Sequence, residues 1–277
     1  MVQNASPSHA FDVATSLQLI GDDVWRGATS DDYWNFTGPF GGTTAATLLR
    51  AVLEHGKREG QPISLTVNYC APIARGAFDI ASREVRTNRS TQHWYAELSQ
   101  LETGVAANAT IVCAARRPTW SHQAATAPAA AAPETLAVLP TQGMMAWLQR
   151  YQFRFALGSP VRPGSVPNAE PQSALSHVWV NDWPARPLDF LALAAICDTA
   201  FARIFHVRAQ MVPIGTVSMT VYFHADADEV AAQGVQPMLA VSDAKVFEKG
   251  YFDQTAEIWS CAGRLLASTQ QIVYYRA

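Results

Sequence analysis

The chain has 277 residues, room for one large domain or two small ones. Hydrophobic residues make up 49% and charged residues 16%, so a sizeable core is available, and the formal net charge is −3. With no basic excess and no Lys/Arg run, neither nucleic acid nor an anionic membrane surface is an expected partner. The four cysteines, Cys70, Cys113, Cys197 and Cys261, are far apart in apolar segments and form no CxxC pair. Reduced core thiols are expected, rather than zinc ligands or a redox couple. The stretch Met1 to Ser16 has no basic n-region and no apolar h-region. No run nears the roughly 18 apolar residues of a membrane span. These features predict a cytoplasmic protein.

Phe11 to Trp34 predicts two short strands around the turn Gly21-Asp22-Asp23. Gly38-Pro39-Phe40-Gly41-Gly42 then leads into a helix from Thr43 to His55. Its Ala45, Leu48, Leu49, Val52 and Leu53 recur at i, i+3 and i+4. Arg50, His55, Lys57 and Arg58 suit the negative end of its dipole, and Gly56 fits as its stop. Four strand-like runs follow: Ile63 to Tyr69, Phe78 to Val85, Gln92 to Leu101 and Val105 to Cys113. The breaks between them carry Pro72 and Gly76, then Asn88-Arg89-Ser90, then Gly104, as in an antiparallel meander.

From Arg116 to Pro140 the composition turns to Ala, Pro, Ser and Thr, which reads as a linker without functional content. It separates an N-terminal unit, residues 1–115, from a C-terminal unit, residues 141–277; the linker itself is 116–140. The C-terminal unit opens with strands over Trp147 to Phe155 and Ser173 to Val180. A helix from Leu188 to Phe205 follows, then strands Ile214 to Phe223, Met238 to Val246, Phe252 to Ser260 and Leu265 to Tyr275. The two units echo each other in residues as well as in order. Ser64-Leu-Thr-Val-Asn-Tyr69 answers Ser218-Met-Thr-Val-Tyr-Phe223, Ala96-Glu97-Leu98 answers Ala256-Glu257-Ile258, and Val105-Ala106-Ala107 answers Leu265-Leu266-Ala267. Three short matches in one order, after a helix in each half, point to duplication.

The second helix carries the anomaly. Leu191, Ala194, Ala195, Asp198, Phe201, Ala202 and Phe205 fall on one stripe, apolar except for Asp198. An ionised carboxylate on a core-facing stripe costs several kcal/mol unless it is paired or hydrogen-bonded. Two readings follow: a structural Asp satisfied by nearby backbone or by water at a helix edge, or a catalytic carboxylate held where substrate meets it. Asp189, beside Pro187 in the first turn, favours the dipole and needs no function.

Phe40-Gly41-Gly42 opening the first helix, Ser64-Leu-Thr-Val on the next strand, Asp198 in the second helix and Ala267-Ser-Thr-Gln-Gln271 in the last strand together resemble the acyl-CoA thioesterase II (TesB-type) family. The resemblance implies an α+β double-hotdog fold, two tandem units forming one continuous antiparallel sheet with the long helices packed on it. It also implies hydrolysis of acyl-CoA to free acid and coenzyme A, with no metal, no cofactor beyond the coenzyme A of the substrate, and a homo-oligomeric state. An Asp, a hydroxyl and a Gln position the attacking water in this family. Carried over, these fall on Asp198, Thr216 and Gln271. Gln270 lies next to Gln271, and a one-residue change of register would exchange them. N–H groups at the start of the first helix, near Gly41 and Gly42, are candidate oxyanion donors or simply a tight turn with close helix packing. In the repeat, Gln271 corresponds to Ile111 and Thr216 to Pro62, neither able to position water. One catalytic centre per pair of units is expected, with the first half contributing a wall and its helix N-terminus.

Other chemistries lack their residues. There is no Gly-x-Ser-x-Gly elbow, no P-loop and no dinucleotide fingerprint, and the seven histidines show no metal-like pairing. A hotdog hydratase would use an Asp/His pair, and no histidine is placed to partner Asp198. A non-catalytic acyl-binding module stays open as an alternative.

Overall fold

Strand-forming runs dominate the chain. In the computed structural model, which describes residues 8–159 and 170–276, they join one 13-stranded sheet. The N-terminal half supplies α1 (Ala10–Ala14), β1 (Gln18–Gly21), β2 (Val24–Ala28), α2 (Gly41–Leu53), β3 (Gln61–Tyr69), β4 (Ala77–Thr87), β5 (Thr91–Gln100) and β6 (Gly104–Ala114). The C-terminal half begins with β7 (Tyr151–Leu157), β8 (Ser176–Asp182), α3 (Phe190–Ile196), α4 (Arg203–Arg208), β9 (Ile214–Phe223) and α5 (Ala227–Ala232). It ends with β10 (Met238–Asp243), β11 (Phe247–Glu248), β12 (Tyr251–Trp259) and β13 (Leu265–Tyr275).

The lateral order is β1-β2-β4-β5-β6-β3-β9-β13-β12-β10-β8-β7, with β11 paired to β12. From either end the two halves read alike. β4, β5 and β6 form the expected meander, but β3 pairs with β6 and, on its other edge, with β9. The repeat is visible in the register. Thr66 and Thr220, equivalent in the repeat, face each other across β3 and β9, with their Oγ1 atoms 3.0 Å apart. Leu65 pairs with Ile111 as Met219 pairs with Gln271, and Pro62 pairs with Cys113 as Thr216 pairs with Val273. In both places a register shift separates the two pairs. Equivalent residues that meet face to face place a pseudo-two-fold axis at Thr66–Thr220. This is the double hotdog.

α2 buries Ala45, Leu48, Leu49 and Val52 completely; it packs on β4, β5 and β6 and lies along α3. Its first turn runs close to the end of α3. A Cβ built on Gly42 would lie 2.5 Å from the Ala195 carbonyl oxygen, so only glycine admits this approach.

The helix expected over Leu188 to Phe205 is broken. α3 ends at Ile196 and α4 starts at Arg203, and Asp198 lies in the connection between them. The Asp198 and Thr199 amides reach back to Ala195 and Ile196, and the Thr199 hydroxyl takes the Ile196 carbonyl at 2.8 Å. The Thr199 side chain competes with helix propagation in this way. Asp189 is the N-cap of α3, its carboxylate accepting from the Ala192 amide, rather than a first-turn residue. The break is also held from outside. Arg203, fully buried, donates through Nε to the Phe201 carbonyl at 2.7 Å and through Nη1 to Ser176 Oγ at 2.6 Å and the Ala174 carbonyl at 3.0 Å. Every one of these is a tertiary or loop contact.

The segment 116–140 is a packed strap with one 3-10 turn at Pro133–Thr135. Its Ala127, Ala130 and Leu136 cover Trp179, Leu239 and Trp259, and Trp179 Nε1 donates to the Ala131 carbonyl at 2.8 Å. The ladder equivalents on the uncovered N-terminal side include Arg26 and Asp79, an ion pair open to solvent. Of the four thiols, Cys113 and Cys197 are buried as expected, while Cys70 and Cys261 are exposed. Among the described residues no helix is long and apolar enough to cross a membrane.

Candidate active site

A cavity of about 370 Å³ opens where the two units meet, between the start of α2, the end of β3, the α3–α4 connection and strands β9 and β13. Asp198 lies on its wall. Gln271, 2% exposed, donates from Nε2 to Asp198 Oδ1 at 3.0 Å. The Gly42 backbone amide also favours the charged carboxylate. Asp198 thus sits at the negative end of α3 and the positive end of α2. Burial dominates: it raises the carboxyl from 3.8 to about 7, against the opposing pull of Gln271 and Gly42. The carboxylate still keeps a partial opening to the cavity.

On β13 the residues alternate, Gln271 and Val273 inward, Gln270 and Ile272 exposed. Gln271 is therefore the amide in the cavity, and Gln270 faces out. Thr216 lines the same cavity opposite Val273, but its hydroxyl makes no hydrogen bond to Asp198 or Gln271. The glycine pair is divided. Gly41 lines the cavity, whereas Gly42 is not among its lining residues, and the Gly42 backbone amide favours the charged form of Asp198. α2 needs no side-chain cap, because the Thr43 and Thr44 amides return to the Phe40 carbonyl.

Two residues at the site escape a reading by motif. Tyr69, at the end of β3, donates its hydroxyl to the Gly41 carbonyl at 2.9 Å. This clamps the peptide plane whose other face presents the Gly42 N–H to Asp198. Gln254 of β12 is 3% exposed and pairs with Gln271 in the ladder. Both carry a usable signal: Tyr69 has the inward parity of Leu65 and Val67, and Gln254 that of Phe252 and Ala256. A polar group on an apolar parity needs a partner.

A Cβ built on Gly41 would lie 2.7 Å from Asp198 Oδ2 and 3.3 Å from the Tyr69 hydroxyl. Gly41→Ala is expected to displace the carboxylate and lower turnover about tenfold with little loss of fold, read by kinetics beside a thermal melt.

Much of the remaining wall is apolar and aromatic, with Asn35, Thr37 and Thr44 as its polar members. Phe40 and Trp147, one from each half, stack with centroids 4.2 Å apart, and Phe201 and Phe205 extend the surface. No histidine is among the lining residues described, and no cluster of metal-ligating side chains occurs among the described residues.

Comparison with known families agrees with this geometry. The acyl-CoA thioesterase C-terminal domain profile matches residues 123–275, more than half the chain, and the N-terminal domain profile matches residues 30–114. The chain belongs to the acyl-CoA thioesterase family. As such the enzyme is a thioester hydrolase. The thioesterase is similar to a solved hot dog fold protein of unknown function from Alicyclobacillus acidocaldarius, at 42% identity over 98% of this chain and 99% of that one, with a TM-score of 0.91. It shares its fold with an acyl-CoA thioesterase II from Mycobacterium marinum, at 18% identity over 96% and 98% of the two chains and a TM-score of 0.75. A tesB protein from Mycobacterium avium subspecies paratuberculosis aligns at 15% identity over 98% and 100%, with a TM-score of 0.77. No curated protein matches the thioesterase significantly.

Proposed function

We propose that the cavity binds an acyl-CoA and that Asp198, with Gln271 and Thr216, holds the attacking water. The observation that carries this reading is a half-buried carboxylate at a cavity wall, anchored by Gln271 rather than neutralised by a cation. A carboxylate raised to about 7 is a better base at neutral pH than an ordinary one. Water adds its oxygen to the thioester carbonyl carbon while its proton passes to Asp198. The C–S bond then breaks and the proton goes to the leaving sulfur, giving free acid and coenzyme A. Gly41, at the cavity beside the α2 N-terminus, is the member of the glycine pair left to stabilise the oxyanion. Thr216 and Gln271 orient the water, and the aromatic wall takes the acyl chain.

Because the base must be ionised, kcat/KM is expected to rise with pH and level off above about 7. Its pH profile with a saturable acyl-CoA checks this, and a limb near the ordinary carboxylate range would exclude Asp198 as the base. The general test is thiol release across short, medium, long and aryl acyl-CoAs. Binding without thiol release would favour the acyl-binding module. A hydratase reading finds no support, since no described histidine reaches the cavity. The resemblance also implies a homo-oligomer, which light scattering of the purified enzyme checks.

A further inference from the structure

The α3–α4 connection that carries Asp198 is pinned to β12 by the side chain of Gln254. Gln254 accepts from the Arg203 amide through Oε1 at 3.1 Å, and its Nε2 donates to the Ala200 carbonyl at 3.4 Å. These contacts bracket the second half of the connection, two and five residues after Asp198. Gln254 is itself buried, lines the cavity, and stands directly beside Gln271 on the neighbouring strand. The two adjacent buried amides therefore have complementary roles. Gln271 holds the carboxylate, and Gln254 holds the backbone that delivers it.

A buried amide in a strand that otherwise turns Phe252, Ala256 and Ile258 inward is costly unless its hydrogen bonds are used. Here both ends are used, on a stretch of backbone that has left the helix. The Arg203 guanidinium reinforces the same segment at the Phe201 carbonyl, but from the far side, through Ser176 and Ala174. Among the described residues, Gln254 is the side chain of β12 that hydrogen-bonds the connection. We infer that Gln254 is a positioning residue for the catalytic carboxylate, fixing the α3–α4 connection so that Asp198 stays aligned with Gln271 and the Gly42 amide. The inference rests on the proposed role of Asp198.

Gln254→Met keeps the length of the side chain and removes both hydrogen-bonding ends. The expected result is a kcat about tenfold lower with KM changed less than about threefold, since misplacement costs the transition state more than binding. In the same variant the Asp198 titration should fall by about one pH unit as the carboxylate relaxes toward the open cavity. It is followed by 13C NMR of carboxyl-labelled aspartate and assigned with Asp198→Asn. Gln254→Glu retains the acceptor for the Arg203 amide and should recover part of the lost kcat; it also serves if the Met variant does not fold. A lower Tm with unchanged kcat and unchanged Asp198 titration would mark Gln254 as a packing residue and overturn the inference. The titration needs no substrate. A shifted titration in a protein that hydrolyses no acyl-CoA would count against the proposed function and leave the positioning of Asp198 standing.

Discussion

Asp198→Asn is expected to lower kcat for acyl-CoA hydrolysis about 10³-fold without loss of the fold, because on the proposed mechanism it takes away the proton acceptor but little volume. Thiol release by wild type and variant, side by side, checks it. A variant that retains more than about a tenth of the activity would sink the assignment. The same substitution carries a stability signature. In the unfolded chain this carboxyl ionises near its ordinary 3.8, and in the folded enzyme near 7. Between those values only the folded state holds the proton, so wild-type stability falls as pH rises through the window and the cost is complete above about 7. Its size is on the order of 3 kcal/mol, given the partial opening to the cavity. The Asn variant has no such titration. Its Tm should match wild type near pH 4 and exceed it increasingly toward pH 7 and above, the usual trade of stability for activity at a site.

Gln271→Met is expected to lower kcat about 10²-fold, comparable to the loss of one preorganised donor at a reacting centre. Met fills similar space beside Met219, so the change is mainly the loss of the 3.0 Å bond from Nε2 to Asp198 Oδ1. That bond holds the carboxyl down against burial, and without it the carboxyl moves further above about 7. The acidic limb of the pH profile should therefore shift to higher pH, in addition to the lower plateau. A lower plateau with the limb unmoved would mean that Gln271 contacts substrate without touching the base. The corresponding change at the exposed neighbour, Gln270→Met, serves as the control, since that side chain points away from the cavity.

Residue pattern alone reached far into this fold. The strand-like runs Ile214 to Phe223 and Leu265 to Tyr275 coincide with β9 and β13 to the residue, because β-favouring residues bounded by turn residues write a strand into the sequence. The duplication was legible for the same reason: Ser64-Leu-Thr-Val and Ser218-Met-Thr-Val occupy equivalent places around one axis and keep the same inward set. Asp198 stood out because a carboxylate on an apolar stripe needs an explanation. α1 and α5, each under two turns, left too short a period to read.

What the tertiary structure alone decided lies at the joins. Periodicity ran straight through Asp198 and predicted one helix, since it measures which side a residue faces and not who satisfies its backbone. The break exists because Arg203, Thr199 and Gln254 take up carbonyls and amides that a helix would otherwise use; Gln254 does so from another strand, and Arg203 is itself held by Ser176 and Ala174. The strap read as an inert linker because its alanines gain meaning only against Trp179 and Trp259, more than 40 residues away. The choice between Gln270 and Gln271 followed from which face of β13 meets the core. The Gly42 amide came to lie beside Asp198 because the two units meet at that glycine, where the lack of a side chain lets one helix begin against the end of the other. Local pattern determined the elements and the odd carboxylate; long-range contacts, which no local period encodes, made them a site.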